Sequence, residues 1–400
     1  MRWVVVGAGS AGCVVAARLA EAGEDVVVVE AGAGTTDAAS RSPSFFDATA
    51  AAGLTFAEPF TRGRGVGGSS AVNGMIATAG DDAQYRAWGW SDTPDAFARL
   101  RVPMEQPAAS ELGPIDRALL ATASDADRAM LTRRDGRRVT SYDAYLADVS
   151  SVVLKADVEV GRITLDAGRA TGVELADGTT IEADAVVVSA GAIGSPLLLQ
   201  ASGVGGPHVG RHLRNHAAQP VDLRLRPHVP WNPHGLVAAS FLRRDDLQLL
   251  SVNHLGPAAP HGAGFLVVVM SATGEGSVQP GPSVDLALSD HDRDRLAAGV
   301  ELVEQLLEAP PFAAIIEDVS VGEAPAGVYH PTSTCRMGDV VDEDGAVIGT
   351  EHLFVVDASV FPELPTANTY LPTLMLAERL APRVLRRRRA APPSSPAAGR

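Results

Sequence analysis

Two short stretches carry residue types that can handle protons. "YHPTSTCRMG", residues 329–338, sets His330 five residues ahead of Cys335, one of only two cysteines; "ANTYLPT", 367–373, carries Asn368. A histidine titrates near neutral pH and can act as a base, ligate a metal or simply pack. A zinc site built on His330 and Cys335 needs two or more further clustered ligands, which the chain lacks. "HLRNH" puts His212 and His216 at i, i+4 but without the glutamate of H-E-x-x-H, so both are read as structural and no metal is expected. Cys13 and Cys335 read as reduced thiols, Cys335 packing behind the histidine loop.

A second kind of chemistry shows in the glycines. "RWVVVG", "AGSAG", "CVVAARLAEAG" and "DVVVVE" read as strand, turn, helix and strand. Gly7, Gly9 and Gly12 form G-x-G-x-x-G, with Ser10 and Ala11 in the turn, so the backbone can approach a pyrophosphate whose charge meets a helix N-terminus. Glu30, followed by Ala31, ends the second strand, where a carboxylate can accept hydrogen bonds from an adenosine ribose. This context points to a dinucleotide. "RGRGVGGSSAVNG", 62–74, is too glycine-rich for a helix or central strand and reads as a loop over a ligand, or on composition alone as a flexible linker.

The elements that must position these residues alternate in type along the chain. "TGVELA" and "TTIEA" flank Asp177-Gly178 as a hairpin, and "AVVVSAG" is a buried strand leading to a helix with Ser195 as N-cap and Pro196 as first residue. Between 217 and 290 strand candidates such as "GFLVVVMSA" and "SVDLALS" follow one another without helices, which predicts an antiparallel sheet. Leu296, Val300, Val303 and Leu307 make one face of a helix over 292–308. "HLFVVDAS" is a strand ending at Asp357, and a helix starts at Pro372. The expected fold is α/β: a Rossmann-like βαβ domain, discontinuous in sequence, with a second α+β domain on an antiparallel sheet.

The 400 residues, 46% hydrophobic with 40 Gly and 27 Pro, fit a loop-rich globular enzyme. A net charge of −15 argues against nucleic acid as a partner. Apolar runs are too short for a transmembrane helix or signal peptide, and a cytoplasmic location is expected. "RRRR" at 386–389 opens what reads as a disordered tail, 386–400.

In this order the pieces resemble the glucose-methanol-choline (GMC) family of flavin oxidoreductases. "VVVGAGSAGCVVAARLAEAGEDVVVVEAG" is similar to its FAD fingerprint, "GRGVGGSSAVNGMI" and "SAGAIGSPLLLQASGVG" to its two signatures, and "YHPTSTCRMG" with "FVVDASVFPELPTANTYLPTLMLAERLA" to its catalytic segment. The resemblance implies FAD and the oxidation of an alcohol (CH–OH donor) by hydride transfer to flavin N5. It implies His330 as base and Asn368 as the group that positions the substrate oxygen. Arg64, Gly67, Gly68, Ser69, Asn73 and Gly74 would then lie along the pyrophosphate and flavin, and Val158 would hold the adenine region through its backbone. Ala190, Gly191, Asp357 and Ala358 would meet the ribityl chain and flavin. Asn368, Thr369 and Pro372 would bring a helix N-terminus to the flavin's N1 and C2 carbonyl. Val72 stands where some members carry a histidine joined to the flavin, so the FAD is expected to be non-covalent.

The implied domains are 1–90, 136–216 and 338–385 for FAD, 91–135 as a shortened lid or insertion, and 217–337 for substrate. The chain is short for the family, and the losses fall after "WGWSD" and within 217–265. An open site, a bulky substrate or a wall from a neighbouring subunit would each accommodate that. Some short members accompany the peptide-derived redox cofactor mycofactocin; oxygen, a quinone or such a cofactor are the acceptors in view. The alternative to an alcohol dehydrogenase or oxidase is a flavin-binding electron-relay or partner protein. A nicotinamide dehydrogenase has no place for the second glycine loop or the His/Asn segment.

Overall fold

Runs of β-branched residues build the centre of the molecule. The computed structural model describes residues 1–56, 60–281, 283–322 and 326–390. In chain order the elements that bear on the site begin with β1 (Arg2–Val6), α1 (Ser10–Glu21), β2 (Asp25–Val29), β3 (Ala126–Arg128), β4 (Val152–Lys155), β5 (Ala185–Val188) and α2 (Gly191–Ala201). They continue with β6 (Ala217–Leu225), β7 (Ser240–Arg244), β8 (Leu247–Val252), β9 (Gly262–Val269), α3 (Asp290–Leu307), β10 (Ile316–Val321), β11 (Leu353–Val355) and α4 (Tyr370–Ala390).

One sheet is parallel, in the order β11-β5-β1-β2-β4. β1, β2 and β5 each bury four consecutive residues, as strands covered on both faces must. The covers are helices. α1 and α4 pack together, and the buried Glu378 of α4 accepts hydrogen bonds from Arg18 of α1 (2.7 and 2.9 Å) and from Tyr145 Oη (2.9 Å). Leu374, Met375, Leu376, Ala377 and Leu380 complete the same apolar core as Trp3 and Val5.

The other main sheet is antiparallel, in the order β10-β6-β9-β8-β7-β3, with 326–327 also pairing to β6. α3 lies across it, and Gly299 allows the approach, since a Cβ there would meet Val267 Cγ1 at 2.3 Å. Leu296 and Val303 are buried as expected, while Val300 and Leu307 are partly buried. The Asp177-Gly178 hairpin forms, with Gly178 at φ 87°.

Several expectations need correction. α2 begins at Gly191, so Ser195 is not its N-cap and Pro196 lies inside the helix. α4 begins at Tyr370, two residues before Pro372, and runs through the arginines to Ala390. Arg387 stays exposed while pairing with Asp342 (2.6 Å); the rest of the expected tail, 391–400, lies outside the described residues. "SVDLALS" stays out of the main sheet, its strand Ser283–Asp285 pairing, among the described residues, with Ser277–Gln279. The insertion at 91–135 instead gives that sheet its edge, β3.

Candidate active site

Turns at the C-terminal ends of the parallel strands form the first part of the site, the usual place for ligands in such sheets. Gly7 leaves β1 at φ 98°, and a Cβ there would meet Ser189 O at 2.6 Å. A Cβ on Gly12 would meet Gly7 O at 2.0 Å, so packing alone requires both glycines. Gly9 differs: a Cβ there finds nothing nearer than Gly68 Cα, at 3.9 Å. The fold therefore leaves open space above Gly9. Cys13 N–H, bonded to Gly9 O (3.0 Å), is the first in α1 with an intrahelical acceptor, so the amides of Ser10, Ala11 and Gly12 make the helix's positive end.

The second glycine loop is a fixed wall and not a linker. Gly67 N–H donates to Ala8 O (2.8 Å) and Val66 N–H to Ala33 O (2.9 Å), while Arg64 Nη2 donates to Ala31 O (3.0 Å). Gly68 opens a short 3-10 turn in which Ser69 is exposed. Glu30 staples the two loops: its carboxylate accepts from the N–H groups of Ala8 (2.8 Å), Gly32 (2.9 Å) and Gly65 (3.0 Å). Of roughly four acceptor directions on a carboxylate, one is left for the expected ribose contact. Val158 N–H donates to Glu30 O (2.9 Å), which sets Val158 beside the end of β2.

Asn73 Oδ1 accepts from Arg138 Nη1 (2.6 Å) and from Met75 N–H (3.0 Å), and Met75 sits at φ 61°. Gly74 between them borders open space. Arg138 is buried, its Nη2 makes no hydrogen bond to the described residues, and burial pushes its pKa down to about 10.

Two further turns complete this side. Asp357, at the end of β11, accepts from Gly191 N–H (2.9 Å) and Ser195 Oγ (2.5 Å) through one oxygen and from Ser359 N–H (2.8 Å) through the other. Burial raises its pKa, and those donors oppose the rise. Its side chain is thus spent on the scaffold, and Ala190, Gly191 and Ala358 are the half-exposed groups beside it. The open space over Gly9, the amides at the start of α1 and the half-exposed backbone of 190–191 and 358 fit an extended dinucleotide such as FAD. Val72 is buried in an apolar cluster with Ala48, Leu54 and Ala71.

His330 lies on a loop strapped down by "RNH", 214–216. Arg214 and Thr332 exchange backbone hydrogen bonds (2.9 and 3.1 Å), and His330 N–H donates to Asn215 Oδ1 (3.0 Å). His330 is half-buried, and burial pushes its pKa down to about 4, so its imidazole is neutral at pH 7. Its Nδ1 is 2.9 Å from Nδ1 of the fully buried His216, whose Nε2 is 3.0 Å from Pro365 O. Tyr329, beside it, is 58% exposed and packs edge-on against Phe60.

Asn368 is fixed by Thr78. Asn368 N–H donates to Thr78 Oγ1 (3.0 Å), and that hydroxyl donates to Asn368 Oδ1 (3.2 Å), which turns the amide's NH2 the other way. Thr369 O accepts from Thr373 in the first turn of α4 (3.0 Å to N, 2.7 Å to Oγ1). Among the described residues no hydrogen bond joins His330 to Asn368 directly. His216 links His330 to Pro365, three residues before Asn368.

His216, expected to be structural, is fully buried and hydrogen-bonded between His330 and Pro365 O. Nothing local in the sequence relates two histidines 114 positions apart. His212, four residues before His216, bonds Glu275 instead (2.6 Å). Cys335 is buried, with its N–H on Ser359 O (2.8 Å), and burial raises its thiol pKa. Thr78 and Arg138 carried no recognisable signal in the sequence.

Comparison with known proteins bears on this geometry. Two family models described as GMC oxidoreductase match residues 112–218 and 269–377, together just over half of the chain, and an NAD(P)-binding Rossmann-like model matches 5–58. An oxygen-dependent choline dehydrogenase of Vibrio vulnificus is 25% identical over 530 aligned positions, covering 96% of this chain and 94% of that one. A pyridoxine 4-oxidase of Microbacterium luteolum is 26% identical, covering 94% and 97%. The alignment with the choline dehydrogenase is longer than this chain's 400 residues. Among solved structures, pyridoxine 4-oxidase from Mesorbium loti superposes with a TM-score of 0.84 at 24% identity, covering 95% of this chain and 98% of that one. A formate oxidase of Aspergillus oryzae superposes at 0.85 and 20%, covering 96% and 97%; at such identities the likeness speaks for the fold. With the two glycine loops, the His330 segment and the matched regions in agreement, the chain belongs to the GMC oxidoreductase family.

Proposed function

We propose that this protein oxidises an alcohol, using non-covalently bound FAD, with His330 as the base and Asn368 as the group that holds the substrate oxygen. GMC oxidoreductases are flavin-dependent, and a flavin bound in the cradle supplies the hydride acceptor. Removing two electrons and two protons from a CH–OH group leaves the hydroxyl proton for the protein to take. The observation that carries this reading is His330 itself: neutral, half-buried and strapped in place, it can accept a proton, and its loop connects through His216 to the stretch that ends in Asn368. The Asn368 amide, with its oxygen held by Thr78, presents N–H donors that stabilise developing alkoxide character and orient the carbon. Ser10, Ala11 and Gly12 amides would hold the diphosphate, and Val72, packed among Ala48, Leu54 and Ala71, has no side-chain nucleophile of its own to bond the flavin.

Choline and pyridoxine, for which two relatives are named, both carry CH–OH groups, whereas formate does not; this favours an alcohol while leaving its identity open. The acceptor that reoxidises the flavin is open as well. The test is anaerobic: purified protein is mixed with a panel of alcohols and formate, and flavin absorbance is followed by stopped flow. Bleaching by an alcohol, slowed at least ~10²-fold in His330→Ala, is the expected result. Bleaching by formate alone, or by none of the donors, defeats the reading.

A further inference from the structure

We infer that His216 is a positioning residue that locks His330 in the Nδ1–H tautomer, so that Nε2 is the basic nitrogen offered to the site. This rests on the reading of His330 as a base, but its geometry stands apart from the substrate. His216 is fully buried, and its ring meets that of His330 nearly at right angles, 86°, with centroids 5.1 Å apart. Its Nε2 lies 3.0 Å from Pro365 O. A carbonyl oxygen can only accept, so that nitrogen must carry the hydrogen.

A neutral imidazole has one N–H. Burial, the neighbouring His330 and the Arg243 guanidinium all hold His216 well below the ordinary histidine pKa, against the opposing pull of the Pro365 and Met270 carbonyls. Its Nδ1 is therefore a bare lone pair. At 2.9 Å from that lone pair, His330 Nδ1 can only be a donor. The proton count closes: His330 carries its single hydrogen on Nδ1, and Nε2 is left as an acceptor. That Nε2 makes no hydrogen bond to the described residues and is not among the enclosed polar atoms without partners, so it is the end of the ring within a ligand's reach.

The lock matters because a histidine side chain in water favours the opposite tautomer, with hydrogen on Nε2. His330 without His216 would present a donor where a base is needed. When Nε2 takes the substrate's proton, the Nδ1–H···Nδ1 bond to His216 becomes charge-assisted and steadies the imidazolium. The same His216 holds Pro365, so one buried side chain sets both the base and the start of the segment that carries Asn368.

The test is ¹⁵N NMR of the ring nitrogens in FAD-loaded protein labelled at its ten histidines, with His330 assigned by His330→Gln. The wild type should show His330 protonated on Nδ1 and bare on Nε2. His216→Leu should move the hydrogen toward Nε2 and slow flavin reduction by about 10- to 100-fold, part of what a general base supplies. His216→Asn, whose Oδ1 can take the acceptor's place, should restore the Nδ1–H state and much of the rate. A wild-type His330 protonated on Nε2, or an unchanged Nδ1–H state in His216→Leu, overturns the proposal. If His216→Leu does not fold, the wild-type and His216→Asn spectra decide it. If no alcohol reduces the flavin, the tautomer is still read, so the two proposals fail separately.

Discussion

Thr334 Oγ1 donates a 2.6 Å hydrogen bond to the carbonyl of Ala192, the group left without its helical donor because Pro196, four residues on, has no N–H. The histidine loop thus repairs a gap inside α2, and α2 in turn fixes that loop four residues beyond His330. Thr334→Val keeps the shape but leaves a buried carbonyl unpaired, which costs about 1–3 kcal/mol. Adding Pro196→Ala restores an N–H to Ala192 O, so the double variant should recover much of the loss in a urea titration. Additive effects of the two changes would mean that Thr334 is not standing in for the missing donor.

The three fingerprint glycines should separate in their effects. Gly9→Ala is compatible with the observed φ of −76° and its Cβ meets nothing closer than 3.9 Å, so stability should change by less than about 0.5 kcal/mol. The added methyl nevertheless enters the open space above the α1 amides, and FAD affinity measured by fluorescence should fall on the order of tenfold or more through lost backbone approach. Gly12→Ala should do the reverse, destabilising the fold because Gly7 O stands 2.0 Å from the new Cβ. Equal loss of stability in both variants would contradict this division of roles.

The same contrast separates the features that are legible in the sequence from those that are not. Gly7, Gly9 and Gly12, the hairpin at Asp177-Gly178, the α3 stripe and the His330 segment are local patterns, each set by a period, a turn or a spacing. The edge strand from 126–128 and the start of α2 depend on partners distant in sequence, whereas "SVDLALS" folds back locally on Ser277–Gln279. Ser195 and Pro196 look like a helix start, but the N–H of Gly191 and the hydroxyl of Ser195 both reach Asp357, 166 and 162 residues away, and this lets the helix begin earlier. The contact of His216 with His330 is illegible for the same reason: only the fold brings the two ring nitrogens to 2.9 Å.

Acid should destabilise the protein through its paired histidines. Burial holds the pKa of His330 near 4 and lowers that of His216, against about 6.5 in an unfolded chain. Between those values the unfolded chain binds more protons than the native one, so stability is full above about pH 6.5 and declines as pH falls toward 4. Each such proton contributes a slope of up to about 1.4 kcal/mol per pH unit. His330→Gln should flatten the decline of the urea midpoint in that window. A variant with the wild-type slope would show that His330 does not enter the acid transition.

Asn368→Asp tests the orientation that Thr78 imposes. The carboxylate can still accept from the Thr78 hydroxyl, so folding and FAD binding should persist, while the outward group changes from an N–H donor to an anionic acceptor. An alkoxide-like oxygen would then be repelled where it had been held, and kcat/KM for the best alcohol should drop by about 10²-fold, the scale for losing one such donor. Thr78→Val keeps the amide but removes the hydroxyl that fixes it, so a smaller loss, near tenfold, should follow from two amide orientations competing. If Asn368→Asp turns over at the wild-type rate, the substrate oxygen is not held by this side chain, and the donor must be sought elsewhere around His330.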